Sequence, residues 1–277
     1  MSDFQERLRA AGANLATRPD LSDWVGQVLP TQSGHYWGGS WQTARSLRES
    51  INPSTGQPLA LFAWGAEEDV DAAVAAASRA FAGWAATPPL ERARCLRNAA
   101  AIVRAHALEL ALLDAADCGN PVKAMQMDAE IAATQIEYFA GVVLENKGET
   151  LPTGNGSLNY TLREPLGVVA RIYPFNHPFM FAAGKMAAPL AAGNTVVLKP
   201  PEQAPLSTLR LMELLHGVFP PGVLNCVVGG REVGAALSAH PGVAAVGLIG
   251  SVGAGQAVAR AAAQGMKKSV RELGGKD

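Results

Sequence analysis

Hydrophobic positions along the chain follow two periods. Between residues 66 and 142 they recur at helical spacing, and three helices are predicted there. The first carries Glu67, Glu68 and Asp69 in its opening turn, where the helix dipole favours acids. It aligns Val70, Val74, Ala77, Phe81 and Trp84 on one face, and Thr87-Pro88-Pro89 ends it. The second runs from about Leu90 to Cys118, with Leu96, Val103, Ala107 and Leu110 inward. Gly119-Asn120-Pro121 stops it, because Gly ends a helix readily and Pro does not continue one. The third spans about Ala124 to Val142. From Leu166 the period changes to short apolar runs, predicted as strands at Val168–Ile172, Thr195–Leu198, Val223–Val227, Ala244–Leu248 and Ser269–Leu273. Helical segments at about 178–191, 205–218, 231–239 and 253–264 separate them. Strand, helix, strand at this spacing predicts an α/β fold with an open, parallel, five-stranded sheet and flanking helices. Continuous apolar runs fit strands covered on both faces.

Two segments follow neither period. In residues 145–163, Leu158, Tyr160 and Leu162 alternate with polar residues near Gly154-Asn155-Gly156, which predicts a projecting β-hairpin. Residues 1–65 read as a short amphipathic helix from Asp3 followed by loop, marked by glycines and by Asn52-Pro53-Ser54-Thr55-Gly56. Trp24, Trp37 and Trp41 are assigned there to packing. The boundaries are thus a helical part at 1–142, a hairpin at 143–165 and a strand–helix part at 166–277.

Composition narrows the function classes. Apolar residues make up 48% and charged residues 17%, an ordinary globular balance. A net charge of −1 argues against nucleic acid as a partner. No apolar run is long enough for a membrane span, and the polar N-terminus, Met1-Ser2-Asp3, is unlike a signal peptide. Cys95, Cys118 and Cys226 are few, scattered and odd in number, so a reducing compartment, the cytoplasm, is expected. The five histidines have no metal-ligand spacing, and no metal is expected.

An open parallel sheet binds its ligand beyond the carboxyl ends of its strands, so the residues following each strand are the candidates. After the first comes Pro174-Phe175-Asn176-His177-Pro178; the Asn176 carboxamide can donate to a developing oxyanion, or can merely cap the next helix. After the second comes Lys199-Pro200-Pro201-Glu202; Glu202 can accept both hydroxyls of a ribose, or form a surface ion pair with Lys199. Gly229-Gly230 follows the third and allows close backbone approach. After the fourth, Gly250-Ser251-Val252-Gly253-Ala254-Gly255 opens a helix and suits a pyrophosphate, although its glycine spacing is not G-x-G-x-x-G. The fifth ends in Glu272-Leu273-Gly274-Gly275-Lys276, where Glu272 is a general base for water or a strand-end acid.

In this order and spacing, these motifs resemble the aldehyde dehydrogenase superfamily. The resemblance begins at Asn52–Gly56 and is densest in Ala188–Gln203, Pro220–Asn225 and Glu272–Lys276. It implies a Rossmann-like coenzyme-binding domain, a hairpin that builds subunit contacts in a homo-oligomer, and NAD(P)-dependent oxidation of an aldehyde through a cysteine thiohemiacetal and thioester. Asn176 matches the oxyanion donor and Glu272 the base that activates the deacylating water. Lys199 and Glu202 match the adenosine-ribose residues, with Glu202 favouring NAD while NADP remains possible. Gly250 and Ser251 match the pyrophosphate-side turn, and Gly229 the adenine-side wall. Ile172, Pro174 and Phe175 match the nicotinamide-ribose approach, with Ala254, Leu273 and Gly274 beside the coenzyme.

The chain departs from that pattern in four places. Phe175 stands where Trp is usual, His177 where an aromatic or apolar residue is common, and Leu248-Ile249 where Phe-Thr precedes Gly-Ser. His177 is assigned to packing. The largest departure is the expected nucleophile, which in the family lies beyond Asp277 in a second domain; none of the three cysteines stands at its position. The chain alone is therefore expected to lack turnover and to expose apolar surface where that domain packs. A non-catalytic dinucleotide-binding module is the alternative from another class. An acyl-phosphate- or acyl-CoA-forming relative is disfavoured by Glu272, which those chemistries do not need.

Overall fold

The computed structural model describes residues 21–154 and 156–275; the helix expected from Asp3 lies outside them. The chain enters through α1 (Leu21–Val28) and two hairpins, β1 (His35–Trp37) with β2 (Ser40–Gln42) and β3 (Leu47–Ile51) with β4 (Pro58–Ala63). These four strands correct the loop expected over this segment. Their three to six residues are too short for alternation to show, but Gly38-Gly39 is a two-residue turn with φ of 63° and 82°, the left-handed geometry that primed hairpin turns require.

Four helices follow: α2 (Glu67–Ala86), α3 (Pro89–Ala105), α4 (Ala107–Cys118) and α5 (Val122–Gly141). The single helix expected from Leu90 to Cys118 is broken at His106, whose φ of −107° and ψ of 11° leave the helical region. Its ring Nδ1 lies 2.7 Å from Glu109 Oε2, and Glu109 also accepts from Arg210 Nε at 2.5 Å. A tertiary tether thus sets the break, with neither Gly nor Pro to announce it. A separate hairpin, β5 (Thr150–Pro152) with β6 (Leu158–Tyr160), carries exposed Leu158 and Tyr160.

The remaining elements alternate: β7 (Val168–Ile172), α6 (Pro178–Ala191), β8 (Thr195–Lys199), α7 (Leu206–Leu214), β9 (Leu224–Cys226), α8 (Arg231–Ala239), β10 (Val243–Gly250), α9 (Val252–Gln264) and β11 (Lys268–Leu273). Among the described residues the main sheet has seven strands in the order β11-β10-β7-β8-β9-β1-β2. The five expected strands are parallel, and the antiparallel β1–β2 pair extends the sheet past β9 through Tyr36 opposite Cys226. This is a Rossmann-like fold.

Each sheet face has its own core. On one face Val70 and Val74 of α2, Val233 and Leu237 of α8 and Val258 of α9 pack on Val168, Ala170, Val197 and Val246. On the other, α6 and α7 lie on the sheet, and α3 and α5 stack outside α6. The α5–α6 contact is built of Ala129, Ala132, Ala133, Ala182, Ala183 and Gly184, and small side chains let the helix backbones approach closely. Trp84, at the end of α2, crosses into this second core and donates from Nε1 to the Leu190 carbonyl at 3.1 Å. Trp84→Ala removes a large buried ring and that bond, and is expected to cost about 3–5 kcal/mol. Urea unfolding of the variant against the unmodified chain measures it; a loss below about 1 kcal/mol would contradict this packing.

Candidate functional site

Strand order locates the crevice. β8 and β9 lie on one side of β7, β10 and β11 on the other, so the order reverses between β7 and β10. Ligands of open α/β sheets enter where such a reversal parts the loops at the carboxyl ends. The expected residues Ile172, Lys199, Gly250 and Leu273 terminate β7, β8, β10 and β11 at that edge.

The β7–α6 turn is fastened from beneath. Asn120 Nδ2 donates to the Asn176 carbonyl at 2.5 Å, and His177 Nδ1 lies 2.6 Å from Asp128 Oδ2. The Phe179 amide donates to Asp114 Oδ2 at 3.1 Å. The N-cap of α6 is His177, so the capping alternative for Asn176 does not hold and its exposed carboxamide stays available. His177 also differs from its packing assignment: it is a half-exposed ring tied to a buried acid, with an edge contact to Phe181. Pro174 is half-buried, Ile172 packs into the α2–α8–α9 core, and Phe175 is 53% exposed. Phe175 and Glu202 share an open groove of about 420 Å³ with Ser50, Ile51 and Asp117.

Lys199 and Glu202 form an asymmetric pair, 3.1 Å from Nζ to Oε2. The lysine side chain is 6% exposed and the glutamate 33%, so this is not the surface pair of the alternative reading. Burial pushes the ammonium down from its ordinary value, against the pull of Glu202. One face of the Glu202 carboxylate is thereby committed and another is open to solvent.

At the start of α9 the Ser251 hydroxyl accepts from the Ala254 amide at 3.2 Å. The amides of Val252 and Gly253 precede the first intrahelical bonds, and both residues are exposed. The space beside these glycines differs from the space beside Gly229. A Cβ on Gly253 would meet nothing within 4 Å and one on Gly250 would come no closer than 3.7 Å. On Gly229 it would strike Val233 Cγ2 at 2.4 Å, so protein fills that position. Gly255 is filled likewise by Leu273, at 2.5 Å. Ala254 and Gly274 are exposed, and the Gly274 amide donates to the Gly250 carbonyl.

Glu272, on the outer strand β11, accepts from Lys185 Nζ of α6 at 2.8 Å. Its paired neighbour Ile249 points to the α6 face, as does Glu272. Ile172, one position along β7 from that face, points to the other. The sheet edge therefore separates the expected coenzyme residues Ile172, Lys199 and Leu273 from the expected base.

The profile of the aldehyde dehydrogenase family matches residues 41–277. The chain belongs to that family. It is 51% identical over 258 residues to aldehyde dehydrogenase tropH of Talaromyces stipitatus, covering 91% of this chain and 50% of that protein. It is 37% identical to fluoroacetaldehyde dehydrogenase of Streptantibioticus cattleyicolor, covering 96% and 51%. Betaine aldehyde dehydrogenase from Staphylococcus aureus, solved in complex with NAD+, superposes with a TM-score of 0.90 at 30% identity, over 93% of this chain and 53% of that one. The chain spans about half the length of the curated relatives it matches.

In this aldehyde dehydrogenase chain every cysteine favours the thiol. Burial raises Cys95, lifts Cys118 to about 12 and drives Cys226 further up, so none is a ready thiolate nucleophile. Among the described residues no group of three His, Cys, Asp or Glu side chains is placed to hold a metal ion. Sequence reasoning missed Asn120, Asp128, Asp114 and Lys185, which hold the candidate residues from 49 to 87 positions away. No local pattern carries such a signal.

Asp114 generates a pH prediction. Burial lifts its carboxyl to about 8, and its Oδ1 has no hydrogen-bond partner among the described residues. An unfolded Asp titrates near 3.9. Between these values the folded chain holds a proton that the unfolded chain has lost, so this contribution to stability falls as pH rises from about 4 to about 8. Asp114→Asn keeps an acceptor for the Phe179 amide and is expected to flatten the decline in urea midpoint between pH 5.5 and 8. An unchanged slope would show that Asp114 ionises normally in the folded chain.

Proposed function

We propose that this chain is the coenzyme-binding portion of an NAD-dependent aldehyde dehydrogenase that oxidises an aldehyde to a carboxylic acid. The observation that carries the reading is the buried-lysine, open-glutamate pair at the end of β8, across the crevice from the open start of α9. Bound NAD would supply the hydride acceptor. Glu202 would accept the adenosine-ribose hydroxyls, with Lys199 fixing its orientation. A 2′-phosphate there would meet a carboxylate, which favours NAD over NADP. The Val252 and Gly253 amides, with no side chain in the way at Gly250 or Gly253, suit a pyrophosphate. Ile172, Pro174 and Phe175 would line the path from the ribose to the reacting carbon. Solved relatives in complex with NAD support this assignment.

The Asn176 carboxamide would donate to the oxyanion formed when a thiolate adds to the aldehyde carbon. Glu272 would take a proton from the water that attacks the resulting thioester; the carbon–sulfur bond breaks, and acid and thiolate are released. The nucleophilic cysteine would lie in the part of the protein beyond these 277 residues, as the half-length match to relatives supports. The β5–β6 hairpin, with Leu158 and Leu162 exposed, would join subunits of a homo-oligomer. Three free cysteines favour the cytoplasm, and no helix among the described residues is long and apolar enough to cross a membrane.

Calorimetric titration of the 277-residue chain with NAD tests the coenzyme assignment. Saturable binding is expected, weakened about tenfold by Glu202→Gln through loss of a charge-assisted hydrogen bond. A folded chain that does not bind NAD, or binds it equally well as Glu202→Gln, would refute the Lys199–Glu202 site.

A further inference from the structure

The turn between β7 and α6 carries one tie more than its fastening uses. Asn120 holds the Asn176 carbonyl at one end, and Asp114 holds the Phe179 amide at the other. Between them, His177 Nδ1 lies 2.6 Å from Asp128 Oδ2 of α5. As a backbone fastening this third tie is costly, because the Asp128 side chain is only 7% exposed and His177 is its one ion-pair partner within 4 Å among the described residues. The imidazole itself is 37% exposed. Its second nitrogen, Nε2, has no hydrogen-bond partner among the described residues and is not a buried atom, so it is open to whatever occupies the space beside the turn.

The tie decides what Nε2 offers. A carboxylate at Nδ1 takes the hydrogen there, so Nε2 is an acceptor in the neutral ring and a donor in the charged one. Of the polar groups an aldehyde can carry, a hydroxyl answers both states, because it accepts and donates. A carboxylate or a carbonyl answers only the second. The neighbourhood is otherwise largely apolar. Phe181 meets the ring edge-on, with 6.0 Å between centroids. Phe175, two residues earlier in the turn, is exposed, and so is Ile131, one turn along α5 from Asp128. Next in sequence to the ring stands the exposed Asn176.

We propose that His177, oriented by Asp128, is a specificity-determining residue that selects aldehydes carrying a hydroxyl group close to the reacting carbon. This rests on the reading of Asn176 as the oxyanion donor: an aldehyde whose oxygen lies at that carboxamide brings its substituents past the next residue of the same turn. Nε2 holds the hydroxyl. Asp128 does not touch the substrate; it is a positioning residue that fixes the tautomer and plane of the ring. An unsubstituted aldehyde displaces water from Nε2 and puts no partner in its place, and that lost hydrogen bond is the discrimination.

In the full-length enzyme, kcat/KM for butanal against its α-hydroxy and β-hydroxy derivatives reads the selection. At least one hydroxylated aldehyde is expected to exceed butanal about tenfold, the worth of one hydrogen bond. The decisive variant is His177→Asn. Its amide nitrogen stands where Nδ1 stands, so the bond to Asp128 is kept while Nε2 is removed, and the ratio of hydroxylated to plain substrate is expected to fall to about one. His177→Phe removes the tie as well and is expected to give the same ratio; should it fail to fold, His177→Asn carries the comparison. Asp128→Asn is expected to lower the ratio in part. In the 277-residue chain, nitrogen NMR is expected to show His177 with its hydrogen on Nδ1, and Asp128→Asn to weaken that preference. An enzyme that does not favour a hydroxylated aldehyde, or a ratio that survives His177→Asn, would overturn the inference. So would a stronger preference for succinic semialdehyde that vanishes in His177→Asn, which would make the ring a carboxylate site. An equal loss on every substrate in His177→Asn would leave the pair a fastening of the turn only. If Asn176→Ala does not slow the oxidation of butanal, the oxyanion reading fails first; if it does and the ratio ignores His177, the specificity inference fails alone.

Discussion

The amides that open a helix have no partner within it, and α6 and α7 both open against protein rather than water. Neither helix has a side-chain cap of its own. One helix serves both: Asp114 and Asp117 of α4, a single turn apart, accept from the Phe179 and Leu206 amides at 3.1 and 2.9 Å. The segments before those amides carry Asn176 and the Lys199–Glu202 pair, so the proposed oxyanion donor and the proposed ribose acceptor are referenced to the same rigid piece. The arrangement has a cost. Burial lifts the two carboxyls to about 8 and about 7, and Ser50 donates to Asp117 to offset part of it. Helix α7 extends the tether outward through Arg210, which joins Glu109 to Glu213, and Glu213 accepts from the Thr31 and Gln32 amides that lead into β1. The N-terminal strands are thereby fixed to the helices that position the crevice.

The alternation of a strand turns one edge into two environments. Arg171 and Ile172 are consecutive, yet one faces α6 and the other the α8–α9 side. Lys199 pairs with Ile172, and Leu273 packs on Gly255 of α9; both belong to the α8–α9 side of the sheet. Glu272 and Lys185 meet on the opposite side. One residue of register thus separates the face carrying Ile172, Lys199 and Leu273 from the face carrying Glu272.

The sequence made the parallel strands and their helices legible because burial on both faces forces continuous apolar runs, and because Thr87-Pro88-Pro89 and Gly119-Asn120-Pro121 mark helix ends. It was weaker wherever tertiary contact decided. The Gly38-Gly39 turn was a usable sign of β1–β2, but three-residue strands give no periodicity to support it. Nothing near His106 announced a helix break that a tether to Glu109 imposes. Two-glycine motifs read alike in a sequence, yet Gly229 is filled by Val233 while Gly253 faces open space. The two alternatives at Asn176 and Lys199 separated only when His177 proved to be the cap and the lysine proved buried.

The same distinction sets how far the chain stands alone. One side of the sheet is covered by α2, α8 and α9, with open space left at Gly250 and Gly253. The side carrying Glu272 is covered by α6 as far as β7 and left bare at β11. On a covered face, packing fixes a side chain. On a bare one, only charge and hydrogen bonding can, and Lys185 at 2.8 Å supplies both. Lysine on a flexible stem is a weak constraint by itself, because exposed ion pairs add little and are screened by salt. The lysine side chain is 28% exposed and the glutamate 50%, so the more covered partner stands on α6 and the more open one on the bare strand.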